Sequence, residues 1–222
     1  MMAKLLEKRV ARGILYKGEM VRKILSDEKT QTRRALHPQP PVWFGVQKLV
    51  FIKDPWHPDA FKGTPAEGAF KVKGPRENVW CGEDFCGNII GVYGRCPYGV
   101  VGDRLWVREN FYVQPELWAE NHGPQPVHYA ADTSREEVED YVQKPSIHMP
   151  WWASRIALEI TDIRVENLQD ISHEDAVAEG IPNLPGAQAA YRVLWDSING
   201  KREGLSWKDN PWVWALTFKR VK

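Results

Sequence analysis

Apolar residues recur in this chain with more than one period, and the changes of period mark its elements. From Glu19 to Asp27, Met20, Val21, Ile24 and Leu25 share one face at the spacing of an amphipathic helix, after a short strand-like run at Gly13–Tyr16. GDRLWVRE at 102–109 alternates, with Leu105 and Val107 opposed to Arg104, Trp106 and Arg108, as in a half-buried strand entered through a Gly-Asp turn. RIALEITDIRVE at 155–166 predicts a long strand whose apolar parity changes near its middle: Ile156, Leu158 and Ile160 first, then Ile163 and Val165.

Further strands are expected at 127–131 and at Trp212–Phe218, and helices at 134–142 and 187–198. Ser172 is placed as an N-cap with Glu174 and Asp175 in the first turn behind it, and Gly180 ends that helix. Residues 38–98 differ in character, crowded with Pro and Gly and holding only brief strand-like pieces such as 48–53. They read as an insertion within one domain spanning 1–222, with too few periodic apolar positions for a core of their own. Few helices among strands with long connections predict an α+β fold, a mixed, mostly antiparallel β-barrel with flanking helices.

Composition changes this picture little. The 222 residues are 43% hydrophobic and 27% charged, ordinary for a chain that folds around one substantial core. No stretch approaches the ~20 apolar residues of a membrane span, and charges interrupt the start, so no membrane partner and a cytoplasmic location are expected. Cys81, Cys86 and Cys96 are odd in number and spaced unlike a zinc site, so neither a disulfide framework nor a metal is expected. Net charge is +1, yet residues 1–34 carry ten Lys/Arg against four Asp/Glu. That local excess can attract a phosphate-bearing ligand or form a solvated basic face.

The candidate chemistry sits where the first helix meets KTQTRR. A lysine and alternating threonines at a helix-to-strand junction can bring an amine and a hydroxyl to one site, the minimum for nucleophilic work; a carboxylate must come from elsewhere. Tyr129, His148 and Trp151 are candidates to stack on a nucleobase, while most of the eleven tryptophans read as packing. Arg33, Arg34, Arg108 and Arg155 are candidates to hold substrate or phosphate, or to pair with acids such as Glu109 and Asp162.

The order of these features, with CPYG at 96–99, GDRLWVRE, SIHMPWWASRI at 146–156 and LWDSING at 194–200, resembles the ASCH-domain family in its large phage and prophage form. That family has a PUA-like barrel, and the insertion at 38–98 has no counterpart in its minimal members. The family includes a small bacterial amidohydrolase that removes the acetyl group from N4-acetylcytidine using Lys, Thr and Glu. The resemblance of ILSDEKTQTR at 24–33 and SHEDAVAEG at 172–180 puts those three at Lys29, Thr32 and Glu179. The usual glycine of the helix-ending turn is replaced by Asp27, which implies a turn closed differently or by a strained residue.

The resemblance implies an amidohydrolase acting without cofactor on an acylated pyrimidine nucleoside or base, in a bacterial or phage-infected cell. Competing readings are a non-catalytic module binding single-stranded RNA, a metal-independent ribonuclease, and an accessory protein that grips a host protein through 38–98.

Overall fold

The computed structural model describes residues 11–37, 39, 48–52, 79–83, 89–94, 96–119 and 124–221. In chain order its elements are β1 (Ala11–Leu15), α1 (Gly18–Leu25), β2 (Gln31–Ala35), β3 (Lys48–Ile52), β4 (Val79–Glu83), β5 (Ile89–Gly94) and β6 (Arg104–Arg108). There follow β7 (Phe111–Val113), α2 (Pro115–Ala119), β8 (His128–Tyr129), β9 (Val142–Lys144), β10 (Ala157–Asn167), α3 (His173–Ala178), α4 (Ala187–Asn199) and β11 (Trp212–Arg220).

The main sheet runs β1-β6-β10-β11-β2. β1 lies parallel to β6 and the other three pairs are antiparallel, so the fold is α+β with a mixed, mostly antiparallel sheet. It stops short of the expected barrel. β1 and β2 are its two edges, and no ladder joins them among the described residues; the Arg34 side chain reaches across and donates to the Leu15 carbonyl at 2.6 Å. The link between these edges is α1, whose Met20, Val21 and Ile24 are buried in the main core with Ile14 and Leu36. Each such side chain contributes ~1.5–3 kcal/mol by leaving water, so the helix stays between the strands.

Two smaller sheets accompany the main one, β3-β4-β5 and β8-β7-β9. The first lies within 38–98, where only brief strand-like pieces such as 48–53 are expected, and it joins three of them into a sheet; the rest of that segment falls largely outside the described residues. The strand expected at 127–131 shortens to β8, and the helix expected at 134–142 is a single 3₁₀ turn at Glu136–Val138. Only Val138 of that turn is buried, and the Arg135 guanidinium donates to the Val138 and Tyr141 carbonyls, closing a loop where a helix would crowd Glu136, Glu137, Glu139 and Asp140.

The change of parity in β10 has a specific cause. Its register with β11 slips between Ile160 and Asp162, a bulge that places one extra residue there and rotates the remainder of the strand. Leu158 and Ile160 before the slip are fully buried, whereas Glu166 beyond it is turned toward β2.

The turn after α1 is closed by the strained alternative. Asp27 takes φ +59°, and its carboxylate is held by Arg220 at 2.9 Å. The Lys23 carbonyl accepts from both Glu28 N–H and Lys29 N–H, which fixes how the chain leaves the helix. Thr30 N–H then bonds Ala178 at the end of α3, and β2 begins.

Candidate active site

β2 alternates between two environments. Its pairing sets Thr32 beside Leu216 and Arg34 beside Trp214, over the main core, while Gln31 and Arg33 share the other parity. That second face meets α3, whose N-cap Ser172 accepts from Asp175 N–H at 3.0 Å and whose end is turned by Gly180 at φ +94°. Asp175 and Glu179 are four residues apart, so one side of α3 presents both carboxylates to β2.

The Lys29 ammonium donates to Glu179 Oε2 at 2.6 Å and to the Glu179 backbone carbonyl at 2.7 Å. It thus also caps the carbonyl end of α3, a structural use that accompanies any chemical one. Lys29 is 3% exposed and Glu179 4%. Burial lowers the affinity of Lys29 for its proton; Glu179 opposes this, while Arg34 and Arg33 add to it, and the lysine ends below its ordinary value. The Tyr191 hydroxyl donates to Glu179 Oε1 at 3.3 Å, and burial, with the Glu179 charge behind it, lifts that phenol well above its usual range.

Lys29, Thr32, Arg33, Arg34 and Glu179 line one cavity of about 620 Å³. It lies in the gap between the two edge strands, bounded by Leu15 and Tyr16 on one side and by Tyr191, Leu194 and Trp195 of α4 on the other.

Arg33 has another office than the substrate contact expected of it. Its guanidinium is fully buried and its donors are committed: Nε and Nη2 to Glu166 at 2.9 and 2.5 Å, Nη2 also to Asp175 at 2.7 Å, Nη1 to Gln31 at 2.6 Å. Nη1 lies 3.6 Å from Glu179 Oε1, so Arg33 holds the carboxylate face of α3 in place. Arg164 closes the network on Asp175 at 3.0 Å.

The remaining expected ligands are elsewhere; none of Arg108, Tyr129, His148, Trp151 and Arg155 lines this cavity. Arg108 donates to the Met149 and Ile147 carbonyls and lies 5.0 Å over the Trp106 ring. Arg155 pairs with Glu109 and Asp132 and covers the Tyr129 ring at 4.0 Å; the Tyr129 hydroxyl is spent on the Ala153 carbonyl. His148 and Trp151 sit exposed on separate 3₁₀ turns. SIHMPWWASRI therefore packs β7 and its neighbours, with Met149 and Ala153 as buried anchors.

Residues that the sequence reading missed complete the site. Tyr16 and, at helical spacing on α4, Tyr191 and Trp195 line the cavity; Gln31 accepts from Arg33, and its alternation with Arg33 on β2 is the one signal that could have found it. Cys96 is a free, buried thiol raised to about 11 by burial, and Cys86 lies outside the described residues. Among the described residues no group of His, Cys, Asp or Glu is arranged to hold a metal, and no helix is long and apolar enough to cross a membrane.

Gly180 joins this geometry to the backbone. A Cβ there would meet Lys23 Cδ at 3.0 Å and Lys29 Cβ at 3.4 Å, in a conformation that L-residues avoid. Gly180→Ala is expected to cost about 1–2 kcal/mol in urea unfolding, the scale of the left-handed penalty.

Compared with known proteins, the chain matches no family model, no curated protein and no solved structure.

Proposed function

We propose that this chain is an amidohydrolase of the ASCH, PUA-like kind that removes an acyl group from an N4-acylated cytidine or cytosine. The observation that carries the reading is a buried Lys29–Glu179 pair at 2.6 Å in the cavity that Thr32 lines. An amide is cleaved by a nucleophile, a group that takes its proton, and a group that returns one to the leaving nitrogen. Thr32 Oγ1 adds to the acyl carbon while neutral Lys29 takes its proton. The carbonyl electron pair moves to oxygen, then returns as the C–N4 bond breaks, and the Lys29 ammonium protonates N4. Water repeats the sequence on the threonine ester and releases the acid. Glu179 aims the Lys29 amine and steadies its ammonium.

Incubation with N4-acetylcytidine is expected to yield cytidine and acetate. No turnover above a Lys29→Ala control overturns the reading. Because burial lowers the Lys29 pKa, the base form is gained as pH rises through a value below the ~10.4 of free lysine. The rate kcat/KM should therefore climb with pH and level off below that value. A rate still rising at pH 10 contradicts the assignment.

One observation favours a second reading, binding of single-stranded RNA. Lys17, Arg34 and Arg202 line the cavity against Glu19, a cationic lining suited to phosphate. RNA affinity that falls with salt, and falls again in Arg34→Ala, supports it; affinity indifferent to ionic strength removes it.

A further inference from the structure

Tyr16 is 7% exposed, immediately after β1, and its ring packs with Ile14, Met20 and Leu36. Phenylalanine would satisfy that packing. The hydroxyl is buried and makes no hydrogen bond of ordinary length and angle among the described residues; Thr32 and Arg34 are its polar neighbours, and their pull on the phenol is outweighed by burial. Arg34 Nε is buried and unpartnered in the same way. The Arg34 guanidinium lies 5.2 Å from the centre of the Tyr16 ring and the Lys29 amine 5.8 Å from it, and all these residues line the cavity. An unpaired buried donor is costly, and two in one place point to an acceptor that arrives from outside.

We propose that the Tyr16 hydroxyl and Arg34 Nε–H donate to the acyl carbonyl oxygen of the substrate, and hold it as it becomes an alkoxide. This rests on the amidohydrolase reading. When Thr32 Oγ1 bonds to the acyl carbon, the C=O pair becomes a lone pair on that oxygen, and both donors strengthen as the charge develops. Neither gives up its proton. When the pair returns and the C–N4 bond breaks, the oxygen is again a carbonyl. Desolvation raises the Tyr16 phenol far above its ordinary value, so it stays a neutral donor at any working pH. Arg34 is anchored at its far end by Nη2 to the Leu15 carbonyl at 2.6 Å; admitting the oxygen requires the guanidinium to turn about that tether.

The test is Tyr16→Phe in the full chain, read by thermal unfolding and by steady-state hydrolysis of N4-acetylcytidine. Removing an orphaned hydroxyl leaves the melting temperature unchanged or raises it. The kcat falls by about 10²-fold, the usual effect of losing one oxyanion donor, with KM nearly constant. Arg34→Lys, which keeps the charge but loses Nε–H, serves as a second variant and lowers kcat in the same way.

A kcat preserved in either variant overturns the proposal and leaves the amidohydrolase reading standing. A loss of kcat in Tyr16→Phe together with a lowered melting temperature assigns the phenol to packing, and also overturns it. Absence of turnover in the unaltered protein removes the amidohydrolase reading, and this inference with it.

Discussion

Replacing Lys29 by alanine is expected to lower hydrolysis of N4-acetylcytidine by about 10²–10⁴-fold, the range for loss of a positioned general base. The same change removes the cation from a carboxylate that is 4% exposed and the donor that caps α3 through the Glu179 carbonyl. Breaking a buried pair from one side costs ~3–5 kcal/mol, because the remaining charge is stranded. Arg33 and Tyr191 already lie at 3.6 and 3.3 Å from Glu179 Oε1, which places the expected loss near the lower end. Activity and stability are separated by Lys29→Met combined with Glu179→Gln. The double variant should recover much of the stability, since neither charge is then buried alone, and none of the turnover. Recovery of turnover in that double variant would exclude Lys29 and Glu179 from the chemistry.

Arg33→Leu is expected to produce the largest loss of stability on β2. The arginine side chain is completely buried between Glu166 and Asp175, which are 15% and 18% exposed, with Glu179 close by. Its removal leaves Glu166 and Asp175 facing one another with Arg164, itself 42% exposed, as their remaining cation, while Glu179 keeps Lys29. A cost of about 3–5 kcal/mol follows for a buried charge stripped of its partner. For a chain of this size that lowers the melting temperature by about 10 °C.

The loss should also depend on pH. Burial alone would raise the Asp175 pKa, but Arg164, Arg33 and Gln31 outweigh it and hold it below the ordinary aspartate value. Such a group contributes stability that is present above the unfolded pKa of ~3.9 and is lost as pH falls through the depressed native value. Without Arg33 the depression shrinks, and acid unfolding, followed by circular dichroism, should begin at a higher pH. An acid midpoint identical to that of the unaltered protein contradicts the role given to Arg33.

Much of the fold was legible because the relevant signals are local. The face of α1, the alternation of Leu105 and Val107, and the Ser172 cap are each set by a few neighbouring residues, and each is found as expected. Even the irregularity of β10 was visible as a change of apolar parity, and the bulge before Asp162 supplies its cause. Failures came where local pattern competes with tertiary contact. Glu136–Val138 lacks the apolar stripe that would dock a longer helix, and Arg135 closes it as a loop.

Within the site the same division holds. The motifs point to Lys29, Thr32 and Glu179, and Arg33 beside them reads as a substrate ligand because arginine suits anions. That chemistry is right and its object is internal, since Glu166 and Asp175 take the guanidinium first. Tyr16 and Tyr191 carried no motif. A single tyrosine on a strand or helix reads as packing until its hydroxyl can be seen to have or to lack a partner.

The amino-acid order by itself determined α1, β6, β10, α3, α4 and β11, the apolar face of α1, and which segments carry an amine, a hydroxyl and a carboxylate. Only the tertiary structure decided that Lys29 and Glu179, 150 residues apart, form one ion pair, that β2 ends the sheet opposite β1, and that a cavity occupies the gap between those edges. The physical reason is that periodicity acts over a few residues, whereas strand order, the burial of charge and the meeting of side chains arise only when distant segments exclude water together.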